Sequence, residues 1–196
     1  MNKTLPLILI ALSSLALGWV LLFWQPSDRP AELALDAPDG GDFTLQSAGG
    51  PVALEDFRGK VVLLYFGYTF CPDVCPTNLG FIAAAMEQLA AAESEQVQVL
   101  FVSVDPERDT LEKLQAYAGF FHPRVIGITG TPDQVAQAAA LYGAAYRKVP
   151  QPDSATGYLV DHSANTYLLD RSGKMRRVLA HATAPDEIAA AVRAHL

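Results

Sequence analysis

The segment from Lys60 to Leu79, KVVLLYFGYTFCPDVCPTNL, constrains the fold of this chain more than any other. Its first part, Val61 to Phe66, is continuously apolar and rich in β-branched and aromatic residues, which is typical of a strand buried on both faces. Such strands occur in mainly parallel sheets covered by helices, so the segment predicts an α/β protein. The strand leads directly to Cys71 and Cys75, the only two cysteines among 196 residues.

Strand and helix patterns alternate through the rest of the chain. Asp109 and Glu112 are interpreted as a capping box for the second helix. The βαβαβα–ββα order, with a cysteine pair after the first long strand, predicts an α/β, thioredoxin-like fold: a central mixed sheet flanked by helices, with an N-terminal β-hairpin extension. The predicted elements are a hairpin of Phe43–Leu45 and Val52–Leu54, strands at Val61–Phe66, Val97–Val104, Val125–Ile128, Asn165–Asp170 and Met175–Ala180, and helices from Pro76 to about Ala92, Leu111 to Phe120, Thr131 to about Tyr142 and Ala184 to His195.

An apolar segment precedes this domain. Leu5 to Trp24 is an uncharged run of about 20 residues, long enough to cross a bilayer core of ~30 Å as a helix. No clear small-x-small cleavage site follows it, and Lys3 favours a cytoplasmic N-terminus. We expect residues 1–25 to be a signal-anchor transmembrane helix, residues 26–42 a tether, and residues 43–196 a domain outside the cytoplasmic membrane. A cleaved signal peptide is the alternative.

The acidic composition argues against one class of partner. The chain has 14 Lys and Arg against 21 Asp and Glu, a net charge of −7 and a pI near 5.0. Binding to a nucleic-acid backbone requires clustered Lys and Arg side chains. We therefore expect no nucleic-acid partner.

The two cysteines are predicted to carry chemistry. A disulfide between residues this close would close too small a loop to stabilise a domain much. Pro76 cannot lie deep in a helix, which places Cys75 at the helix cap and Cys71 in the preceding turn. Backbone N–H groups at a helix N-terminus favour a thiolate, the form that attacks disulfides and binds metals. The Cys-x-x-x-Cys spacing is one residue longer than the thioredoxin motif, which favours metal binding. Two inert cysteines, or a plain local disulfide, are the alternative.

A third metal ligand is required, because two thiolates are too few for a stable site. His162 lies just before the predicted Asn165 strand, and in a thioredoxin fold the loop before that strand faces the cysteine pair. The residues alone leave open whether His162 is a ligand or an ordinary loop histidine. The other three histidines are interpreted as solvated or locally hydrogen-bonded: His122, His181 and His195.

Three motifs in the right order make the chain similar to the Sco family of copper chaperones. The motifs are Phe66–Pro76 (FGYTFCPDVCP), Val102–Thr110 (VSVDPERDT) and Val160–Ser163 (VDHS). The resemblance covers roughly residue 43 to the C-terminus and includes an anchor ahead of the domain. It implies that Cys71, Cys75 and His162 bind copper, as Cu(I), Cu(II) or both. Two thiolates and an imidazole suit Cu(I), a soft ion that accepts three ligands.

Two carboxylates stand beside these motifs. Asp161 is a candidate weak fourth ligand, or could orient the His162 ring through a hydrogen bond. It could equally be a strand-entry residue with no role. Asp73, between the cysteines, could accept a hydrogen bond from the turn or contact a partner, and the plainer interpretation is a turn former.

The resemblance implies a metallochaperone that delivers copper to the dinuclear CuA site of cytochrome c oxidase subunit II, at the periplasmic face of a bacterial cytoplasmic membrane. The implied partners are that subunit and a periplasmic thiol reductant, with another copper carrier as a further candidate. The alternative is a thiol-disulfide oxidoreductase that reduces an oxidase subunit or another copper protein through Cys71 and Cys75 without needing His162. A peroxiredoxin-like peroxidase is disfavoured, because no arginine is near Cys71 in sequence. Whether the protein is an enzyme stays open.

Overall fold

The computed structural model describes Trp19, residues 38–151 and residues 157–196. The predicted transmembrane helix therefore lies outside the described residues except for Trp19, as does most of the predicted tether. Across the described ranges, no helix is long and apolar enough to cross a membrane. The described strands and helices of the domain belong to one compact unit, Ala37–Leu196.

Nine strands and five α-helices are found in the described residues, and a 3-10 helix (Leu54–Phe57) leads into the third strand. In chain order they are β1 (Thr44–Ser47), β2 (Gly50–Ala53), β3 (Val61–Gly67), α1 (Val74–Glu87), α2 (Ala91–Ser94), β4 (Val97–Ser103), α3 (Leu111–Phe121), β5 (Val125–Ile128), α4 (Pro132–Leu141), β6 (Tyr146–Pro150), β7 (Tyr158–His162), β8 (Thr166–Leu169), β9 (Met175–Leu179) and α5 (Pro185–Arg193).

The central sheet has the strand order β5-β4-β3-β8-β9. Strands β3, β4 and β5 are parallel, whereas β8 and β9 add an antiparallel edge. Every residue of β3 and β4 is buried, as expected for apolar strands at the centre of a covered sheet. Helix α1 packs against α5, and α3 packs against β5. The predicted α/β, thioredoxin-like arrangement with a central mixed sheet is confirmed.

The N-terminal hairpin is also confirmed, with shifted bounds. Strands β1 and β2 pair antiparallel, and Gly50 and Pro51 belong to β2 rather than to the turn. The hairpin docks at the end of β5, where Gln46 and Thr129 exchange two backbone hydrogen bonds of 2.7 and 2.9 Å.

Strands β6 and β7 were missed by the sequence analysis. They form a separate two-stranded antiparallel sheet. Tyr146–Pro150 contains two adjacent cations and a proline, and its burial does not alternate, so it lacks the pattern of a half-buried strand. The prediction that His162 lies in a loop is therefore wrong: it ends β7, where it pairs with Tyr146.

The largest differences from the predicted helices are at the two ends of α1 and at the cap of α3. Helix α1 begins at Val74, so Cys75 lies inside its first turn. Pro76 is tolerated there because the first N–H groups of a helix have no intrahelical partner. The helix ends at Glu87, and after it the extended Ala90 donates its N–H to the Glu93 carboxylate (2.8 Å), which starts α2.

The third difference is the cap of α3, which is Thr110 rather than Asp109. The Thr110 hydroxyl accepts a hydrogen bond from the Lys113 N–H at 3.3 Å. The Asp109 side chain turns into the protein instead and is only 1% exposed.

Candidate metal centre

The cysteines lie where β3 gives way to α1. A turn of Tyr68–Cys71, closed by a hydrogen bond from the Cys71 N–H to the Tyr68 carbonyl (3.3 Å), joins the two elements. The backbone of β3 passes very close to the second sulfur. A Cβ atom on Gly67 would lie 2.6 Å from the Cys75 Sγ and 2.9 Å from the Phe101 ring. This position therefore requires glycine if Cys75 is to keep its place.

Three potential ligands converge at this junction. The Sγ atoms of Cys71 and Cys75 and a ring nitrogen of His162 all lie within 4.8 Å of one another. The Cys75 Sγ lies 3.2 Å from the His162 Nε2. Both cysteines are free thiols. The sequence thus identified three residues that the fold brings together across 87 residues of chain.

The two thiols are electrostatically unequal. A hydrogen bond from the Cys75 thiol lowers the pKa of Cys71, and further bonds from the backbone N–H groups of Asp73 and Cys75 act in the same direction. Burial raises the pKa of Cys75, and its bond to Cys71 adds to that effect. Cys71 therefore ionises before Cys75, which acts as the proton donor of the pair.

The His162 ring has one orientation and one tautomer that fit its contacts. Its Nδ1 lies 3.1 Å from the Ser163 carbonyl, which can only accept, so Nδ1 carries the proton. The Nε2 lone pair then faces the Cys75 sulfur. The rings of Tyr68 and Tyr65 meet the imidazole edge-on, with centroids 5.7 and 6.2 Å away. These two aromatic rings restrict the orientation of the imidazole ring.

The two carboxylates named with the motifs lie apart from this cluster. Asp161 is exposed, and its carboxylate accepts two hydrogen bonds from Arg147 at 3.0 and 3.1 Å. The ring contact that orients His162 is made by Ser163 instead. Asp73 is the N-cap residue of α1 without a side-chain capping bond, and it acts on Cys71 through its backbone N–H.

Two residues of the site escaped the sequence analysis. Tyr65 donates its hydroxyl towards the Cys75 Sγ at 3.7 Å, and Gly67 leaves room for that sulfur. The two lie at alternate positions of β3 and therefore share one face of the strand. This spacing, read together with the cysteines that follow, was the signal that could have found them.

Comparisons with known proteins agree with this geometry. A family model described as SCO1/SenC matches residues 32–196. The mouse protein SCO2 homolog, mitochondrial, is 36% identical over 199 residues, which cover 97% of this chain and 78% of that protein. The apo Sco1 protein from Thermus thermophilus is similar with a TM-score of 0.74 at 43% identity, over 81% of this chain and 92% of that one. ScoI from Bradyrhizobium japonicum with copper bound is similar with a TM-score of 0.73 at 36% identity, over 81% of this chain and 99% of that one.

Proposed function

Because the chain belongs to the SCO1/SenC family, we propose that it is a copper-binding protein of cytochrome c oxidase assembly that carries copper on Cys71, Cys75 and His162. The observation that carries this proposal is the convergence of two free thiols and one imidazole nitrogen within 4.8 Å. The similar ScoI from Bradyrhizobium japonicum was solved with copper bound.

The donor set fits copper better than zinc. Two sulfur ligands and one nitrogen suit Cu(I), whereas a structural zinc site normally takes four protein ligands. Because Cys71 ionises more readily than Cys75, the proton displaced when Cu(I) binds comes mainly from Cys75. Since Cys75 is 0% exposed and Cys71 is 8% exposed, exchange with an incoming ligand begins on the Cys71 and His162 side. A surface cavity of about 340 Å³ is lined by His162 together with Arg147 and Asp161.

The experiment that tests this assignment is an anaerobic Cu(I) titration against a competing chelator. The reduced protein is expected to bind one copper per chain. His162→Ala removes a ligand itself and should weaken binding by more than about 100-fold, because loss of a residue that merely supports a ligand already costs about 10- to 100-fold. The matched control is His181→Ala, which removes an exposed histidine and should leave affinity unchanged. Binding by His162→Ala with the affinity of the wild type contradicts the ligand set.

The acceptor we propose is the dinuclear CuA site of cytochrome c oxidase subunit II. An open site with three ligands suits transfer, because ligands can exchange one at a time with those of the acceptor. The Cu(I)-loaded protein, mixed with the copper-free subunit II domain, should lose its copper to that domain. Retention of copper by the loaded protein contradicts delivery to this acceptor and favours another copper protein or carrier.

The place of action that we propose is the periplasmic face of a bacterial cytoplasmic membrane. Residues 1–25 are long and apolar enough to anchor the chain, and residues 26–42 would tether the domain. An oxidising compartment would convert Cys71 and Cys75 to a disulfide. A periplasmic thiol reductant is therefore part of the proposal.

The inequality of the two thiols supports a second function, thiol-disulfide exchange. The Cys71 thiolate attacks a disulfide of the client protein and forms a mixed disulfide, releasing one client thiolate. The Cys75 sulfur, after losing its proton, attacks Cys71, which frees the second client thiolate and leaves a Cys71–Cys75 disulfide. His162→Ala separates the two functions, because it should abolish copper retention and leave exchange largely intact.

A further inference from the structure

Strand β7, which carries His162, is tied to the domain by side chains. In the described part of the chain its only ladder partner is β6. The Val160 N–H donates to the Tyr68 hydroxyl at 3.2 Å. The Tyr158 hydroxyl donates to the Asp105 carboxylate at 2.8 Å, and the Tyr158 carbonyl accepts from Arg108 at 2.9 Å. Two of these three hydrogen bonds are made by Asp105 and Arg108. Both residues belong to the segment Asp105–Asp109, between β4 and α3, which we name the bracket.

One end of the bracket holds the start of β7. The Asp105 side chain is completely buried, and its carboxylate accepts a hydrogen bond of 2.5 Å from the Arg108 Nε. The Arg108 guanidinium carbon also lies 3.7 Å from the centroid of the Tyr158 ring. A buried ion pair with a cation–π contact has a narrow range of favourable geometries. Tyr158 is thereby fixed four residues before His162.

The other end of the bracket holds the turn that carries Cys71. The buried Asp109 carboxylate accepts from the Thr69 N–H at 2.9 Å, from the Thr69 hydroxyl at 2.5 Å and from the Ser103 hydroxyl at 2.6 Å. Thr69 is the second residue of the Tyr68–Cys71 turn. A single carboxylate therefore fastens this turn to the end of β4.

We propose that the bracket sets the position of His162 relative to the cysteine pair, with Arg108 positioning the histidine strand and Asp109 positioning the cysteine turn. The inference rests on the proposed copper site, whose ligands come from two separate parts of the fold. Cys75 and His162 lie 3.2 Å apart, so the two parts of the fold that carry them must be fixed relative to each other. The bracket fixes them, because Arg108 and Asp109, which hold the two parts, are adjacent in sequence.

The exposed ion pairs of β6 and β7 do not provide this anchoring. Lys148 pairs with Glu107, and Arg147 pairs with Asp161, with side chains that are 44% to 77% exposed. Such pairs contribute little, because solvent screens them and both side chains lose entropy. The buried contacts of Arg108 therefore dominate the placement of β7.

The test compares Arg108→Lys with the wild-type full-length chain. Lysine keeps the charge but cannot present a planar fork to Asp105 and the Tyr158 carbonyl while stacking on the ring. In the metal-free reduced protein, hydrogen exchange of the β7 amides should accelerate about tenfold, while exchange in β3 stays unchanged. After Cu(I) loading, X-ray absorption should show reduced nitrogen coordination and unchanged sulfur coordination. The midpoint potential of the Cys71–Cys75 couple should stay at its wild-type value.

Two further variants make the outcome decisive. Arg147→Lys is the matched control on the same pair of strands and should change neither exchange nor coordination. Tyr158→Phe removes only the hydroxyl bond to Asp105. It should accelerate exchange of the β7 amides by about threefold, and it should reduce nitrogen coordination less than Arg108→Lys does. Wild-type exchange and nitrogen coordination in both Arg108→Lys and Tyr158→Phe overturn the inference, as does an equal effect of Arg147→Lys. Failure of the wild type to show a nitrogen ligand overturns the proposed function instead, and the exchange data then still test the bracket.

Discussion

At the scale of single residues, the absence of a side chain at Gly67 protects the position of Cys75. Gly67→Ala would place a methyl group 2.6 Å from the Cys75 Sγ, so the sulfur or the strand must move. We expect a loss of about 1–3 kcal/mol in the free energy of unfolding, typical of an overpacked core, and weaker copper binding. Urea unfolding and a Cu(I) competition titration measure these two effects.

Gly80→Ala is the matched control for this prediction. Gly80 lies within α1, and a Cβ atom there has no heavy atom within 4 Å. Alanine should therefore stabilise the helix by about 0.5–1 kcal/mol and leave copper affinity unchanged. Equal behaviour of the two alanine variants would show that the space beside Cys75 is not limiting.

The unequal thiols give a prediction about pH. Because the fold lowers the pKa of Cys71, its thiolate persists at acidities where an ordinary thiol, with a pKa of ~8.5, is protonated. In the metal-free reduced protein, the iodoacetamide reaction rate of Cys71 should reach its plateau well below pH 8.5. Cys75→Ala removes the thiol donor and should move the midpoint upwards, whereas Cys75→Ser keeps a donor and should move it less. A wild-type midpoint near pH 8.5 would refute the assignment.

How far the sequence predicts the site is clearest at Asp109. The ligands were found because the cysteine spacing and the Val160–Ser163 motif are local patterns. The Asp109–Glu112 pattern was also local, and it misled, because the adjacent Thr110 can cap the helix equally well. Asp109 faces inward because Thr69 and Ser103, which lie in other segments of the chain, donate hydrogen bonds to its carboxylate. A pattern confined to one segment does not contain that information.

At the scale of elements, the cap of α3 and its buried neighbour should differ in energetic weight. Thr110→Ala removes one capping bond and should cost about 1 kcal/mol in the free energy of unfolding. Asp109→Ala leaves three donors without their acceptor, the buried Ser103 hydroxyl and two half-buried donors of Thr69, and should cost about 3 kcal/mol. Urea denaturation of the two variants measures the difference. Equal losses would mean that the buried carboxylate is no more than a second helix cap.

The elements that the sequence predicts well are those whose burial is complete. Strands β3, β4 and β5 are short apolar runs between helices, and their interpretation needs no knowledge of the partner strand. Strand β6 is polar and partly exposed, and it exists because β7 pairs with it. Local propensity does not report such a pairing. The sequence therefore predicted which histidine lies beside the cysteines while missing the strand that presents it.

At the scale of the whole molecule, the proposed anchor and the described domain should be separable. Removal of residues 1–37 leaves the chain that contains every described strand and helix of the domain. We expect the full-length chain to fractionate with membranes and the shortened chain to be soluble, with the same copper affinity. Cell fractionation and Cu(I) titration measure the two properties. Recovery of the protein in the soluble fraction without residues 1–25 would contradict the anchor and favour a cleaved signal peptide.

The account as a whole depends on a copper site made from two sulfurs and one nitrogen of distant segments. X-ray absorption of the anaerobic Cu(I) protein tests it most directly, with His162→Ala measured beside the wild type. The account predicts mixed sulfur and nitrogen coordination in the wild type and loss of the nitrogen in the variant. Coordination by sulfur alone in the wild type, or an unchanged spectrum in His162→Ala, would contradict it.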